Sequence, residues 1–168
     1  MLLVEPNPTL AKRLQALSAR NPMGNTQVLD VAVGDVAGQA EFFLSSSHPY
    51  SSLDRSELPD YPLRGTVKVQ VRTLDDIWMN ELARQPIQLL KIDVQGFEAK
   101  VIAGGRQCLT ECPPEWIVLE LMGEGLDQVR EELRSLGYAE SGLDETGALT
   151  GSVDGLKPGA NLVLHREP

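Results

Sequence analysis

The sequence has few cysteines, no long apolar run and no N-terminal segment with the composition of a signal peptide. Cys108 and Cys112 have no histidine near them in the sequence, which makes a poor metal site, so we expect reduced thiols and no bound metal. No apolar stretch approaches the length of a membrane-spanning helix, and the basic and then apolar order of a secretory signal is missing. These absences predict a cytoplasmic protein that does not insert into a membrane.

The sequence also has few basic residues in comparison with acidic ones. Acidic residues outnumber basic ones by 24 to 15, and the net charge is −9. Such a charge argues against nucleic acid or an anionic membrane as the main partner. The sequence contains no internal repeat and no Gly-x-Gly-x-x-Gly, so nothing supports a dinucleotide-dependent dehydrogenase. The length of 168 residues and the hydrophobic content of 42% fit one globular domain over residues 1–168.

Apolar runs and amphipathic stretches alternate in the first half of the chain. The predicted elements are a strand at 1–4, a helix at 9–19, a strand at 28–33, a hairpin with arms at 39–44 and 67–71, and a helix from 73 to about 83. Asn7 or Thr9 can cap the first helix, and Thr73 is a good N-cap for the second.

The second half continues the alternation. It predicts strands at 87–93, 116–121, 138–140 and 161–165, with helices at 97–109 and 126–136 between them. The run from Ile87 to Ile92 suits a strand buried on both faces, and Gly104-Gly105 weakens the helix after it or ends it early. The order predicts an α/β fold, a doubly wound and mostly parallel sheet closed by an antiparallel C-terminal hairpin.

A long connection, residues 45–64, joins the two arms of the predicted hairpin, so that an insertion covers about residues 39–72. It is rich in serine and proline and contains His48 and Tyr61. Unstructured connections of this length inside a domain are usually functional or disordered. Two interpretations stay open, a lid or substrate loop that carries His48, and a flexible surface loop.

Acidic residues follow the predicted strands at the point where each strand ends. Glu5, Asp35, Asp93 and Glu120 each lie at or just past a strand, and Glu98 lies one turn into the helix after Asp93. Ligands of open α/β sheets bind outside the carboxyl ends of the strands. Like charges gathered at one edge cost stability unless something uses them, which favours a site. The alternative is that each acid caps or stabilises a neighbouring helix.

The same residues resemble the FkbM family of S-adenosylmethionine-dependent methyltransferases. The matching segments, in order, are Val4-Glu5-Pro6-Asn7-Pro8, Ala32-Val33-Gly34-Asp35, Ser51-Ser52-Leu53, Val71-Arg72-Thr73-Leu74-Asp75-Asp76 and Lys91-Ile92-Asp93-Val94-Gln95-Gly96-Phe97-Glu98. The resemblance extends from residue 2 to about residue 122.

The resemblance implies a Rossmann-like sheet that binds S-adenosylmethionine, and O-methylation of a hydroxyl on a small molecule or a sugar. In the cofactor site it implies that Glu5, with Asn7 beside it, holds the ribose hydroxyls and that Asp35 lies near the adenine. Asp93 would face the methionine end and the reacting centre. Glu98 and His48 are candidates for substrate contact or proton removal.

The sequence departs from the family at its start. Members carry, before the strand of Glu5, an earlier strand and a glycine-rich turn, and that strand lies between the strand of Glu5 and the strand at 87–93. Its absence would leave a gap in the sheet or force those two strands to pair. We expect an N-terminally truncated piece of a methyltransferase. The alternative is a non-catalytic remnant or binding module that has lost the cofactor, and the sequence is compatible with a homo-oligomer.

Overall fold

Strands and helices alternate along the chain in a computed structural model that describes residues 1–20, 26–46, 51–58, 62–121, 125–143, 146–151, 153 and 159–166. The elements of the first half are β1 (Leu2–Val4), α1 (Pro8–Arg20), β2 (Gln27–Leu29), β3 (Ala32–Val33), β4 (Gly38–Ser45), β5 (Leu63–Arg72) and α2 (Leu74–Asn80). Those of the second half are β6 (Leu89–Ile92), α3 (Glu98–Ala103), α4 (Arg106–Glu111), β7 (Trp116–Glu120), α5 (Leu126–Ser135), β8 (Tyr138–Leu143), β9 (Leu149–Thr150) and β10 (Asn161–Arg166). None of the described helices has the length and apolar character to cross a bilayer.

The described strands form three sheets, with the orders β1-β2, β3-β5-β4 and β6-β7-β10-β8-β9. The pairs β1–β2, β3–β5 and β6–β7 are parallel, and the other pairs are antiparallel. The α/β class predicted from the alternation is confirmed, and the sheet content is mixed.

The strand predicted at 28–33 is divided between two sheets. Its first part, β2, pairs with β1, and its second part, β3, pairs with β5. Asp30 and Val31 lie between the two parts and belong to neither strand. The apolar run was predicted correctly, but its hydrogen-bonding partners are set by distant segments.

The predicted hairpin is confirmed, because β4 and β5 pair from Gly38 opposite Val71 to Ser45 opposite Leu63. Its inner face packs in a small core of Ala32, Phe42, Val69 and Val71. The C-terminal strands β8 and β10 are antiparallel as predicted, but β10 lies between β7 and β8.

The strand β6 is less buried than predicted. Ile92 is buried, but Leu89 is 59% exposed, so the expectation of burial on both faces was wrong. The physical reason is that β6 ends the order of its sheet and pairs with β7, while β1 pairs with β2. In the described part of the chain the strands of Glu5 and Asp93 are therefore not direct neighbours.

The main core lies beside the five-stranded sheet. Its buried members are Ile92, Val101, Ile102, Leu109, Ile117, Leu119, Val129, Leu133, Tyr138, Leu162 and Leu164. Each large apolar side chain buried here contributes roughly 1.5–3 kcal/mol. The core fixes β6 and β7 side by side and so fixes the ends of both strands.

The two cysteines are free, as the sequence predicts. Cys108 is buried in the core, and burial raises the pKa of its thiol to about 12. The reactive thiolate is therefore scarce at neutral pH.

The predicted helix at 97–109 is broken at Gly104 and Gly105 into α3 and α4. Gly105, the residue before α4, has no side chain that could cap the helix. Asp75 of α2 provides the capping carboxylate instead. The Asp75 carboxylate accepts the backbone N–H groups of Gln107 at 3.1 Å and Cys108 at 2.8 Å. Asp75 lies in the first turn of α2, but its carboxylate stabilises the start of α4.

Asp75→Ala is expected to lower the free energy of unfolding by about 1–2 kcal/mol, the usual cost of losing an N-cap. Urea denaturation measures the loss. Asp127→Ala is the matched control, because Asp127 also lies in the first turn of a helix but its side chain is 100% exposed. Equal denaturation midpoints for the two variants would contradict the capping role.

Candidate active site

The carboxylates of Asp93 and Glu120 are brought together at one edge of the five-stranded sheet. Because β6 and β7 are parallel neighbours, the residues that follow or end them share that edge. The Gln95 side chain joins them: its Nε2 donates to Asp93 Oδ1 at 3.1 Å and to Glu120 Oε2 at 2.8 Å. The convergence predicted from the sequence is therefore present for these two acids.

Gln95 was not singled out by sequence reasoning, although it lies in the matching segment. It is 8% exposed and has a φ of 54°, a left-handed conformation that is unusual for a residue other than glycine. Ser52 Oγ donates to its backbone carbonyl at 2.8 Å. Its Oε1 is buried without a hydrogen-bond partner among the described residues. Backbone strain and an unsatisfied buried atom at one residue are typical of functional sites.

The two acids differ in their proton affinity. Burial opposes ionisation of Asp93, but hydrogen bonds from Lys91, Glu120 and Gln95 outweigh it and hold its pKa below the usual range. The Lys91 ammonium lies 2.6 Å from Asp93 Oδ2. For Glu120, burial and then the neighbouring Asp93 raise the pKa to about 7. Near neutral pH, Asp93 is ionised and Glu120 is divided between its two protonation states.

Glu98 supports the turn between β6 and α3 from inside. Its side chain is fully buried, and its Oε1 accepts the backbone N–H of Val94 at 3.1 Å. Its Oε2 is buried without a partner in the part of the chain that the structure describes. Burial raises its pKa. The substrate role expected for Glu98 stays a prediction, and the geometry shows a carboxyl group turned to the interior.

Glu5 and Asn7 organise the start of α1. Glu5 Oε1 accepts the Asn7 backbone N–H at 2.8 Å, and Asn7 Oδ1 accepts the N–H of Thr9 at 3.0 Å. Asn7 is therefore the N-cap, one of the two residues predicted for that position. Glu5 follows a strand of the two-stranded sheet, and Asp35 is exposed just after β3. The cofactor roles of all three stay predictions.

His48 lies outside the described residues, so its role also stays a prediction. Residues 51–58, one of the described parts of the same connection, reach the site through Ser52. Ser52 is fully buried, forms an isolated bridge with Phe43 and bonds to Gln95, and Leu58 is also buried. Ser52 and Leu58 therefore belong to the interior, whereas Arg55 and Ser56 are exposed, and the two interpretations of the connection as a whole stay open.

A metal was not expected. Within the described ranges, no group of three or more His, Cys, Asp or Glu residues is placed to hold a metal ion. The lack of a metal requirement stays a prediction.

Stability is expected to depend on pH through Glu120. Its pKa of about 7 in the folded state lies above the ordinary value of 4.5, so the proton binds more tightly to the folded chain. The resulting stabilisation is complete below the ordinary value and is lost as pH rises through about 7. Urea midpoints should fall mainly between about pH 5 and pH 7 in the wild type and fall less in Glu120→Gln. Equal falls of the urea midpoint in the wild type and in Glu120→Gln would refute this assignment. Glu131→Gln, a change at an exposed position of α5, is the control and should behave as the wild type.

Comparisons with known proteins find similarity to one family of methyltransferases. The family model described as Methyltransferase FkbM domain matches residues 1–139. A 2-O-methyltransferase NoeI from Sinorhizobium fredii is 32% identical over 119 residues, which cover 64% of this chain and 48% of that protein. The chain thus spans about half the length of that relative. A crystal structure of methyltransferase FkbM from Methylobacillus flagellatus has the same fold, with a TM-score of 0.60 and 15% identity over 98% of this chain and 36% of that one.

Proposed function

The chain belongs to the FkbM methyltransferase family, and we propose that it transfers a methyl group from S-adenosylmethionine to a hydroxyl oxygen of a small molecule or a sugar. The observation that carries the proposal is the joined pair of Asp93 and Glu120 at the carboxyl ends of two parallel strands. The name of the relative, a 2-O-methyltransferase, supports oxygen as the receiving atom.

The residues fit a cofactor that carries a cationic amino group and neighbouring hydroxyls. The Asp93 side chain is 42% exposed and ionised at neutral pH, so it can hold an amino group. The buried Oε1 of Gln95 is an acceptor for which the described residues offer no donor. By the family resemblance, Glu5 with Asn7 would hold the ribose hydroxyls, and Asp35 would lie near the adenine. When bound, S-adenosylmethionine supplies an electrophilic methyl group on a positive sulfur, which keeps the bonding electrons when the methyl leaves.

The contribution of the chain to such a displacement is mainly positioning. When the hydroxyl oxygen is held in line with the methyl group, a bimolecular step becomes an effectively unimolecular one. This orientation increases the rate of methyl transfer by several orders of magnitude. Three hydrogen bonds hold the turn beside Asp93: Ser52 donates to the Gln95 backbone carbonyl, Glu98 accepts the Val94 N–H, and the Gln95 amide donates to Asp93. The acceptor can approach from the exposed side of Asp93.

The test is methyl transfer from a radiolabelled donor, using the protein expressed with any sequence that its gene encodes ahead of Met1. A panel of methyl glycosides and phenols serves as acceptors, and mass spectrometry locates the new methyl group. We expect transfer to oxygen, and a loss of about 100-fold or more in Asp93→Asn. Transfer to nitrogen alone, or cofactor binding with no transfer to any acceptor, would contradict the proposal.

A further inference from the structure

A hydroxyl acceptor needs a group near it that can take its proton. The sequence offered Glu98 and His48 for this task. Glu98 is fully buried and its Oε1 is occupied by the N–H of Val94, so it does not reach the surface of the site. Glu120 is only partly buried and lies at the sheet edge beside Asp93. We propose that Glu120 takes the proton of the acceptor hydroxyl, while Gln95 positions it; this inference rests on the proposed function.

Gln95 holds the two carboxylates by one amide group. Its Nε2 spans the distance between Glu120 Oε2 and Asp93 Oδ1, with bonds of 2.8 Å and 3.1 Å. Gln95 is itself restrained. Its side chain is buried, its backbone has a left-handed conformation, and Ser52 Oγ donates to its backbone carbonyl. A carboxylate so restrained keeps one orientation beside Asp93. The unpartnered Oε1 of the same amide adds a polar atom to the cluster that its described neighbours do not use.

The charges around Glu120 suit a proton acceptor. Asp93 at the end of β6 and Glu98 in α3 raise its pKa, Lys91 in β6 lowers it, and burial is the largest cause of the rise. The residue opposite on β10 is the uncharged Asn161. The resulting pKa of about 7 is close to the value that makes a general base effective at neutral pH.

The proton step is simple. The O–H bond of the acceptor breaks, an O–H bond forms on a Glu120 carboxylate oxygen, and the acceptor oxygen keeps the electron pair that forms its bond to the methyl carbon. Glu120 later releases the proton to solvent. The acceptor must therefore find Glu120 ionised, and its methylation should rise with pH through about 7.

The first test measures the proton affinity of Glu120 without any acceptor. Carbon-13 NMR of glutamate-labelled protein should show one carboxyl that titrates near pH 7 and is missing from Glu120→Gln. Asp93→Asn removes a negative neighbour and should move this midpoint to lower pH. Lys91→Gln removes a positive one and should move it to higher pH. Shifts in opposite directions would show that the charges of Asp93 and Lys91 both act on Glu120, and a midpoint near 4.5 in the wild type would overturn the inference.

The second test separates this inference from the proposed function. Glu120→Gln should bind S-adenosylhomocysteine within about twofold of the wild type, and its methyl transfer should fall by about 100-fold or more. Glu131→Gln, an exposed change on α5, should keep both. If Glu120→Gln transfers methyl groups within about tenfold of the wild-type rate, the base is another group. If the wild type does not bind S-adenosylhomocysteine, the proposed function itself fails.

Discussion

Replacing Gly104 with alanine is expected to cost about 3 kcal/mol or more of the free energy of unfolding, well above an average substitution. The added Cβ would clash with the backbone carbonyl oxygen of Gly34 and lie 3.0 Å from its carbonyl carbon and 3.3 Å from Asp35 Cα. All three are backbone atoms, so no side-chain rotation removes the clash. Gly34 is also fixed from its other side, since its N–H donates to Arg72 O at 3.0 Å.

The effect should reach the site as well as the fold. Gly34 and Gly104 form the contact between the end of β3 and the break that separates α3 from α4. Forcing them apart displaces α3, which begins at Glu98 beside the Asp93 turn. We therefore expect cofactor binding to weaken together with stability in Gly104→Ala.

Two other glycines serve as controls. Gly38→Ala should be nearly neutral, because nothing lies within 4 Å of the added Cβ. Gly105→Ala should cost an intermediate amount, about 1–2 kcal/mol, because its Cβ meets the side chain of Leu74, which can shift. Urea denaturation of the three variants ranks them. Equal midpoints for Gly104→Ala and Gly38→Ala would show that the backbone contact is unimportant.

The second large effect is expected for Glu98→Ala, at about 2–4 kcal/mol. The substitution leaves the Val94 N–H without its acceptor and opens a cavity where a fully buried side chain lay. The turn that carries Asp93 and Gln95 loses its internal support, so the site should be lost along with the stability.

Glu98→Gln is the matched variant, because it keeps the shape and the acceptor oxygen but cannot ionise. Burial raises the pKa of Glu98, which means that its charged form is disfavoured in the folded chain. The glutamine variant should therefore equal the wild type near pH 4 and be at least as stable near pH 8, where ionisation burdens the wild type. Thermal unfolding at roughly these two pH values tests the pair. An alanine variant as stable as the glutamine variant would contradict the supporting role.

The fold was predictable where the sequence pattern is local. The hairpin of β4 and β5 follows from alternation of apolar and polar residues, and β7 follows from its apolar run. The placement of Asp93 and Glu120 at one edge followed from the ends of parallel strands. The Asn7 cap could be narrowed to two residues because cap chemistry is local.

The features of the fold and of the site that the sequence did not predict depend on contacts between residues far apart in the chain. The division of residues 28–33 is set by which strands pair with each part, and the exposure of Leu89 by the position of β6 at the end of its sheet. The sequence predicts Glu98 only as an acid near the start of a helix. Its burial and its bond to the Val94 N–H, across a turn in which Gln95 and Gly96 have positive φ, depend on the packing around it. The role of Gln95 itself was hidden, because a glutamine carries no charge to mark it as part of a site.

The most direct test of the account is titration calorimetry of the protein, expressed with any sequence its gene encodes ahead of Met1, against S-adenosylhomocysteine. We predict binding that Asp93→Asn weakens by about tenfold or more, equivalent to about 1.4 kcal/mol, and that Glu131→Gln leaves unchanged. Binding by the wild type with that dependence on Asp93 would place the cofactor at the Asp93 edge of the sheet. A wild-type protein that is folded and gives no binding heat would contradict the account and favour a member of the family that has lost its cofactor.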